Sequence, residues 1–415
     1  MSCHKVRVPF GTIAIHVMCQ MSRVERMSMK IIHTSDWHIG REFESESLAE
    51  TQTQFVAWLA GEIQSRQVDL VIVAGDVWDR AVPRGEAVTL LDDALNELRT
   101  AGAQIVMISG NHDSAPRLNW GASRQRESGV FIFAKDEEFP TPFVFERSGE
   151  RVAIVAVPFL DPQRAPQPLD GEEGTPRLRT HQNVLEDALA IGRGRLSELD
   201  EMPSIAVAHV YVQGSSISDS ERHTVGGSDV VNAAIFEGFD YVALGHLHRP
   251  QEIGGNPAIA YSGSPIPYSF SEDHQKSVRL VEIDEAGFVA ATMIPIPVGR
   301  PVKVLTDSMS NLLERSEYGA FVGHWISAKL TDELAQVEPM RRLRDRFPHV
   351  ASVSYDGTRR SGVVGPGDGS VDITTRHPSE VVRDFVADLQ GRAVTSAEDE
   401  LIVQGLALVT ERTDA

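Results

Sequence analysis

Cysteine is nearly missing from this chain. Cys3 and Cys19 are the only two, and both precede residue 29. A disulfide framework and a Cys-ligated zinc site are thereby excluded from the main body, and such a body suits a reducing cytoplasm. Long apolar runs are missing too. No stretch approaches the roughly 20 residues of a membrane span, so no membrane association is expected. Positive charge is scarce: 39 Lys and Arg stand against 59 Asp and Glu, giving -20 with His neutral. That balance ordinarily argues against a nucleic-acid binder. It does not exclude one that sets metal ions against phosphate or works beside a basic partner.

What is present is ordinary globular material, 41% hydrophobic and 24% charged. At 415 residues it is too long for one simple core, and two or three domains are expected. The first 28 residues stand apart. Phe10 to Cys19 is a short apolar run broken by His16, with no small-x-small cleavage site after it. Met18, Met21, Met27 and Met29 all precede the first good strand. Two readings stay open for 1–28: a start assigned too early, with the working protein beginning near Met27 or Met29, or a disordered extension.

The chain is organised around Gly110-Asn111-His112-Asp113, which ends the strand-forming run Ala103–Ser109. In open α/β sheets, ligands bind at such strand ends. Four more runs end in similar chemistry. Lys30–Ser35 leads to Asp36-Trp37-His38, and Val68–Ala74 to Gly75-Asp76-Val77-Trp78-Asp79. Ser204–Ala208 ends on His209, and Tyr241–Leu244 on Gly245-His246-Leu247-His248. Asp36 and His38 are two apart, so they can point the same way. Helices are expected over 46–66 (Leu48, Phe55, Leu59 and Ile63 on one face), 86–99 (Val88, Leu91, Leu95 and Leu98 inward) and 182–198. Strand, helix, strand, helix, strand implies parallel strands with right-handed crossovers. Strands at 278–283 and 288–294 close the body as an antiparallel pair.

Asp36, His38, Asp76, Asn111, His112, His209, His246 and His248 thus form one candidate set. Carboxylate and imidazole donors without Cys suit Mn, Fe or Zn better than Ca or Mg. A set of this size is too large for one ion and fits two that share a carboxylate, the device used for in-line displacement at phosphorus. His33 reads as a buried strand residue, and Trp37 and Trp78 as packing. His181, His223, His274, His324, His349 and His377 lack a strand-end context and read as surface or structural. Arg41, Arg80, Arg117 and Arg249, beside the ligand motifs, are candidates for contacts with substrate phosphate.

Asp36-x-His38, Gly75-Asp76-x-x-Asp79, Gly110-Asn111-His112-Asp113, His209 and Gly245-His246-x-His248, taken in order, resemble the calcineurin-like metallophosphoesterases. Ile32–Gly40, Tyr241–Gln251 and Tyr261-Ser262-Gly263-Ser264-Pro265-Ile266-Pro267-Tyr268-Ser269-Phe270 resemble, more narrowly, the nuclease subunits of DNA double-strand-break repair. The likeness is good over 29 to 300 and looser beyond.

The resemblance implies an α/β fold: a two-sheet metallophosphoesterase sandwich flanked by helices, with a small α+β cap domain and C-terminal helices. It implies Asp36, His38 and His248 on one metal, Asn111, His209 and His246 on a second, and Asp76 between them. The metal implied is Mn. His112 would be the non-ligand acid for the leaving 3′ oxygen. Asp79, which stands where some relatives have His, would orient His112 and keep it cationic.

The domain reading is 29–299 for the nuclease body, 300–358 for the cap (strands 325–330 and 350–355, helix about 332–346), 359–375 for a Gly-rich linker and 376–415 for two helices. The second of these carries a capping-box spacing, Thr395 to Glu398. Implied partners are DNA (duplex ends, hairpins, single strands), an ATPase that docks on 376–415, and a second copy of the nuclease chain. A stand-alone phosphodiesterase or phosphatase for small molecules would use the same metals and is the rival reading. A non-catalytic scaffold would have lost a ligand, and none is lost.

Overall fold

The computed structural model describes residues 28–136, 140–167, 177–221, 230–356, 377–390 and 392–413. The expected extension, Ser28 apart, and the expected linker 359–375 lie outside these residues. In chain order the body runs β1 (Met29–Thr34), α1 (Ala49–Arg66), β2 (Leu70–Ala74), α2 (Gly85–Ala101), β3 (Gln104–Ile108), β4 (Val130–Phe133), β5 (Phe143–Arg147), β6 (Glu150–Val157), α3 (His181–Leu196), β7 (Ser204–His209), β8 (Tyr241–Gly245), β9 (Gln251–Ile253), β10 (Asn256–Tyr261), β11 (Ser277–Asp284) and β12 (Gly287–Pro295).

Strands that are apolar on both faces must be covered on both faces. They are, because two six-stranded sheets stack. The first has the order β12-β11-β1-β2-β3-β4 and the second β9-β10-β8-β7-β6-β5. From β1 to β4 and from β6 through β7 and β8 to β10 the pairing is parallel; the outer strands pair antiparallel. Alternation along β2 shows why its run has no polar face. Leu70, Ile72 and Ala74 enter the layer between the sheets with Ile154, Ile205, Val207 and Ala243. Val71 and Val73 turn the other way, onto Leu59, Ile63, Leu91 and Leu95 of α1 and α2. On the far side α3 covers the second sheet through Val184, Leu185 and Leu189. The sandwich expected from sequence is thus a four-layer α/β/β/α body.

Beyond it, β13 (Val302–Asp307), α4 (Met309–Glu314), β14 (Trp325–Leu330), α5 (Pro339–Arg344) and β15 (Val350–Tyr355) form a three-stranded parallel sheet with its helices. Its core is Leu305, Leu312, Ile326, Ala328, Leu330, Leu343 and Phe347. Helices and strands alternate in this unit instead of segregating. Its base meets the body where Val302 and Trp325 pack with Phe43, Leu48, Ile266, Tyr268 and Phe270. Helices α6 (Pro378–Gln390) and α7 (Ser396–Thr413) pair with each other. Thr395 and Glu398 form the reciprocal cap: the Thr395 N–H donates to Glu398 Oε2 at 2.8 Å, and the Glu398 N–H to Thr395 Oγ at 3.4 Å.

Several boundaries move. The first helix starts at Ala49, not 46, because Glu46–Ser47 pairs with Glu42–Phe43. Val88 is exposed, and Ala87 and Ala94 are buried in its stead. The helix expected over 332–346 is confined to Pro339–Arg344. Glu338, before it, sits at φ 46°, and Pro339 lacks the N–H that an earlier turn would need.

The close approach of the sheets generates a stability prediction. A Cβ on Gly245 would lie 1.8 Å from the Ala74 carbonyl oxygen, whereas one on Gly61, inside α1, meets nothing within 4 Å. Gly245→Ala should destabilise by about 1–3 kcal/mol, and Gly61→Ala should stabilise by about 0.4–1 kcal/mol. Denaturant midpoints of the two variants check this. A neutral Gly245→Ala would show that the sheets are not so close.

Candidate metal centre

The parallel strands of both sheets end on one edge, and five of them carry the site's chemistry there. β1 runs into Asp36 and His38, β2 into Asp76, β3 into Asn111 and His112, β7 into His209, and β8 into His246 and His248. The turns are held by backbone and side-chain bonds. The Asp36 N–H donates to Gly75 O and the His38 N–H to Asp76 O, both at 3.0 Å. The Asp113 carboxylate accepts the N–H groups of Gly110, Val77 and Trp78 at 2.9–3.0 Å. Gly110 allows a close approach, since a Cβ there would meet Asp76 Oδ1 at 2.1 Å. Four of these residues occupy the left-handed region: Asp36 (φ 54°), His38 (43°), Asp76 (48°) and His246 (105°). Such backbone costs of order 1–3 kcal/mol per residue and collects at functional sites.

Asp36, His38, Asp76, His209, His246 and His248 are all buried. Nε2 of His38 lies 3.2 Å from Nε2 of His248 and 3.5 Å from Asp76 Oδ2. Nε2 of His209 lies 3.5 Å from Asp76 Oδ2 and 3.0 Å from Asn111 Oδ1, and Nδ1 of His246 is 3.1 Å from the same Asn111 oxygen. Among the described residues, three trios have donor atoms within 4.8 Å of one another: Asp36–His38–His248, Asp36–Asp76–His209 and His38–Asp76–His112. All the expected ligands therefore come together.

The donor set fits divalent cations, and the hydrogen bonds behind it say why. His209 Nδ1 faces the Ala74 carbonyl at 2.9 Å, so that nitrogen carries the proton and Nε2 turns a lone pair toward Asp76 and Asn111. His248 Nδ1 faces the Glu272 carboxylate at 3.1 Å, so its Nε2 turns a lone pair toward His38. Lone pairs converge from several sides with few hydrogens between them, an arrangement that cations satisfy. The electrostatics agree. Burial, with the charge of Asp76 adding to it, pushes the Asp36 carboxyl up to about 6. Where no cation stands, a second proton takes its place on His209 Nε2: burial works against protonating this imidazole, yet Asp76 beside it wins and pushes it up to about 9. Burial would also raise Asp76, but His209 and His38 hold it well below the usual range. The site draws positive charge into the interior.

His112 stands at the edge of this cluster, its ring centroid 4.6 Å from that of His38. Its Nδ1 bonds to the backbone carbonyl of Asp79 at 2.8 Å, and its N–H donates to Asp76 Oδ1 at 2.9 Å. The Asp79 carboxylate is engaged by Arg41 at 3.1 Å and Arg80 at 3.4 Å, and lies 3.8 Å from His38 Nδ1. Asp79 thus holds the His112 ring through its main chain, where the sequence leads one to expect its side chain. Arg41 also lies over the Tyr268 ring, 4.9 Å from its centroid. Arg80 is exposed, Arg117 donates to Ala81 O, and Arg249 is half-buried beside His248. His33 is buried, bonded to Tyr241 and Leu244, and pushed down to about 3 by burial. Trp37 and Trp78 pack in the core under α1 and α2.

Sequence reasoning misses Glu272, Lys276, Ser220 and Glu221, which surround His248 from behind. None lies at a strand end. The one signal is the proximity of Glu272 to the Tyr261–Phe270 signature. Tyr268 within that signature packs edge-on to His38 and His248.

A buried Asp/His/Asn donor set at the strand ends of this sandwich defines a metal-dependent phosphoester hydrolase. The calcineurin-like phosphoesterase family model matches residues 29–250, and the chain belongs to that family. It is 28% identical over 391 residues to the SbcD chain of nuclease SbcCD from Staphylococcus epidermidis, covering 92% of this chain and 100% of the relative. Among solved structures it is similar to the NAD nucleotidase of Haemophilus influenzae (TM-score 0.33, 14% identity, 80% of this chain and 64% of that one). Another is a dimetal phosphatase from Danio rerio (TM-score 0.36, 12% identity, 65% of this chain and 99% of that one). No helix among the described residues is long and apolar enough to cross a membrane.

Metal analysis separates the roles. The wild type and His112→Ala should carry the same metal content after dialysis against Mn2+, and Asp76→Asn should lose most of it. A fall in metal content with His112→Ala would make His112 a ligand.

Proposed function

We propose that this chain is the nuclease component of an SbcCD-type complex, hydrolysing DNA phosphodiesters with two divalent ions, Mn2+ foremost. It would act 3′ to 5′ on duplex ends and endonucleolytically on hairpins and single strands, in the cytoplasm. One observation carries the reading: the similarity to the SbcD chain runs the whole length of that relative. It therefore takes in the units beyond residue 300, which small-phosphoester hydrolysis does not need.

Asp36, His38 and His248 would hold one ion, Asn111, His209 and His246 the other, with Asp76 between. Ions bound there would supply a hydroxide near neutral pH and neutralise the phosphate oxygens as charge builds. His112 donates its Nδ1 proton to the Asp79 carbonyl, so the transferable proton sits on Nε2 and passes to the leaving 3′ oxygen. Arg41, held between Asp79 and the Tyr268 ring, is placed to meet a phosphate, and Arg80, Arg117 and Arg249 flank it. The 300–358 unit would cap the site and restrict DNA. Helices α6 and α7 leave Phe385, Leu401 and Val403 exposed, which supports docking of an SbcC-type ATPase on 376–415. Such a partner would also supply DNA grip that a chain of net charge -20 lacks. The nuclease chains would pair as a dimer.

The test is cleavage of an end-labelled hairpin duplex with Mn2+ or Mg2+, with and without the ATPase and ATP. Cutting should require Mn2+, rise with the partner, and fall by about 10²–10⁴-fold in His112→Ala. No cutting of any DNA, alongside brisk turnover of bis-p-nitrophenyl phosphate, would overturn the nuclease reading in favour of a small-molecule phosphodiesterase.

A further inference from the structure

Behind His248 lies a network of buried charge that the hydrolytic roles do not use. Glu272 and Lys276 sit on the segment between β10 and β11 and are almost inaccessible, at 1% and 4% exposure. Glu272 Oε1 accepts from His248 Nδ1 at 3.1 Å and from Ser220 Oγ at 2.5 Å. Glu272 Oε2 accepts from Lys276 Nζ at 2.5 Å and from Ser264 Oγ at 3.2 Å. Lys276 Nζ has three hydrogens and three acceptors: Glu272, Ser264 Oγ at 2.8 Å and the His248 carbonyl at 3.1 Å. Glu221 completes the grip by accepting the His248 N–H at 2.6 Å. His248 is therefore fixed at its ring, its N–H and its carbonyl.

A buried ion pair contributes little net stability over apolar side chains of similar volume, so packing alone does not call for this one. Its position does. A carboxylate on the far nitrogen of a ligating imidazole fixes the tautomer and raises the basicity of the nitrogen that faces the metal. Lys276 lets Glu272 stay anionic in the interior. His209, by contrast, rests its Nδ1 on the uncharged Ala74 carbonyl.

We infer that Glu272, charge-balanced by Lys276, is a positioning residue for His248 that makes the Asp36–His38–His248 set the tighter of the two cation sites. The inference rests on the two-ion reading above and gives the Tyr261–Phe270 signature and its flank a task at the metal.

The experiment is calorimetric titration of Mn2+ into the metal-stripped full-length protein. The wild type should show two binding steps, and His248→Ala should remove the tighter one. Glu272→Gln should weaken that same step by about 10–100-fold and leave the other as it was. The double variant Glu272→Gln/Lys276→Met removes both charges together, which a fold tolerates better than one stranded charge, and should show the same selective loss. An unchanged tighter step in these variants overturns the positioning role while leaving the two-ion reading intact. Equal weakening of both steps also overturns it, because it marks general damage. A wild type that takes fewer than two ions overturns the two-ion reading and this inference with it.

Discussion

Two carboxylates and four imidazoles meet here with almost no access to water, and their lone pairs face one another. Left to itself such a cluster is costly, because burial penalises each charge and like groups repel. The protein accepts left-handed backbone at Asp36, His38, Asp76 and His246 to hold it. The rest of the structure follows from supporting that convergence. The parallel strands end on one edge, the sheets touch where Gly245 meets Ala74, and a carbonyl or carboxylate backs His209 and His248.

The two-sheet architecture suits the task. A single parallel sheet offers one row of strand ends. Stacking two lets β1, β2 and β3 supply Asp36, His38, Asp76 and Asn111 from one side, while β7 and β8 supply His209, His246 and His248 from the other. The same loop that backs His248 through Glu272 packs Tyr268 and Phe270 toward Val302 and Trp325 at the base of the 302–355 unit. The metal centre and that unit thus share one segment.

Much of this is legible in the residues, and the reasons are specific. Aliphatic runs such as Leu70–Ala74 announce strands covered twice, and a polar residue where such a run stops announces a strand end. Asp36, Asp76, Asn111, His209, His246 and His248 all carry that mark. Over 332–346 the helical pattern misleads, because propensity there gives way to Glu338 and Pro339. At Val88 it misleads because α2 turns Ala87 and Ala94 inward, and small residues leave a faint periodic signal. Glu272 and Lys276 carry no local signature at all. Their role arises only when a loop far along the chain folds behind His248. The Asp79 main-chain bond to His112 is equally out of reach, since sequence patterns speak of side chains.

The central claim is that this donor set holds two cations around Asp76. Anomalous diffraction from crystals grown with Mn2+ tests it most directly. The account predicts two peaks, one among Asp36, His38 and His248 and one among Asn111, His209 and His246, with the Asp76 carboxylate between them. A single peak, or peaks away from these residues, would contradict it.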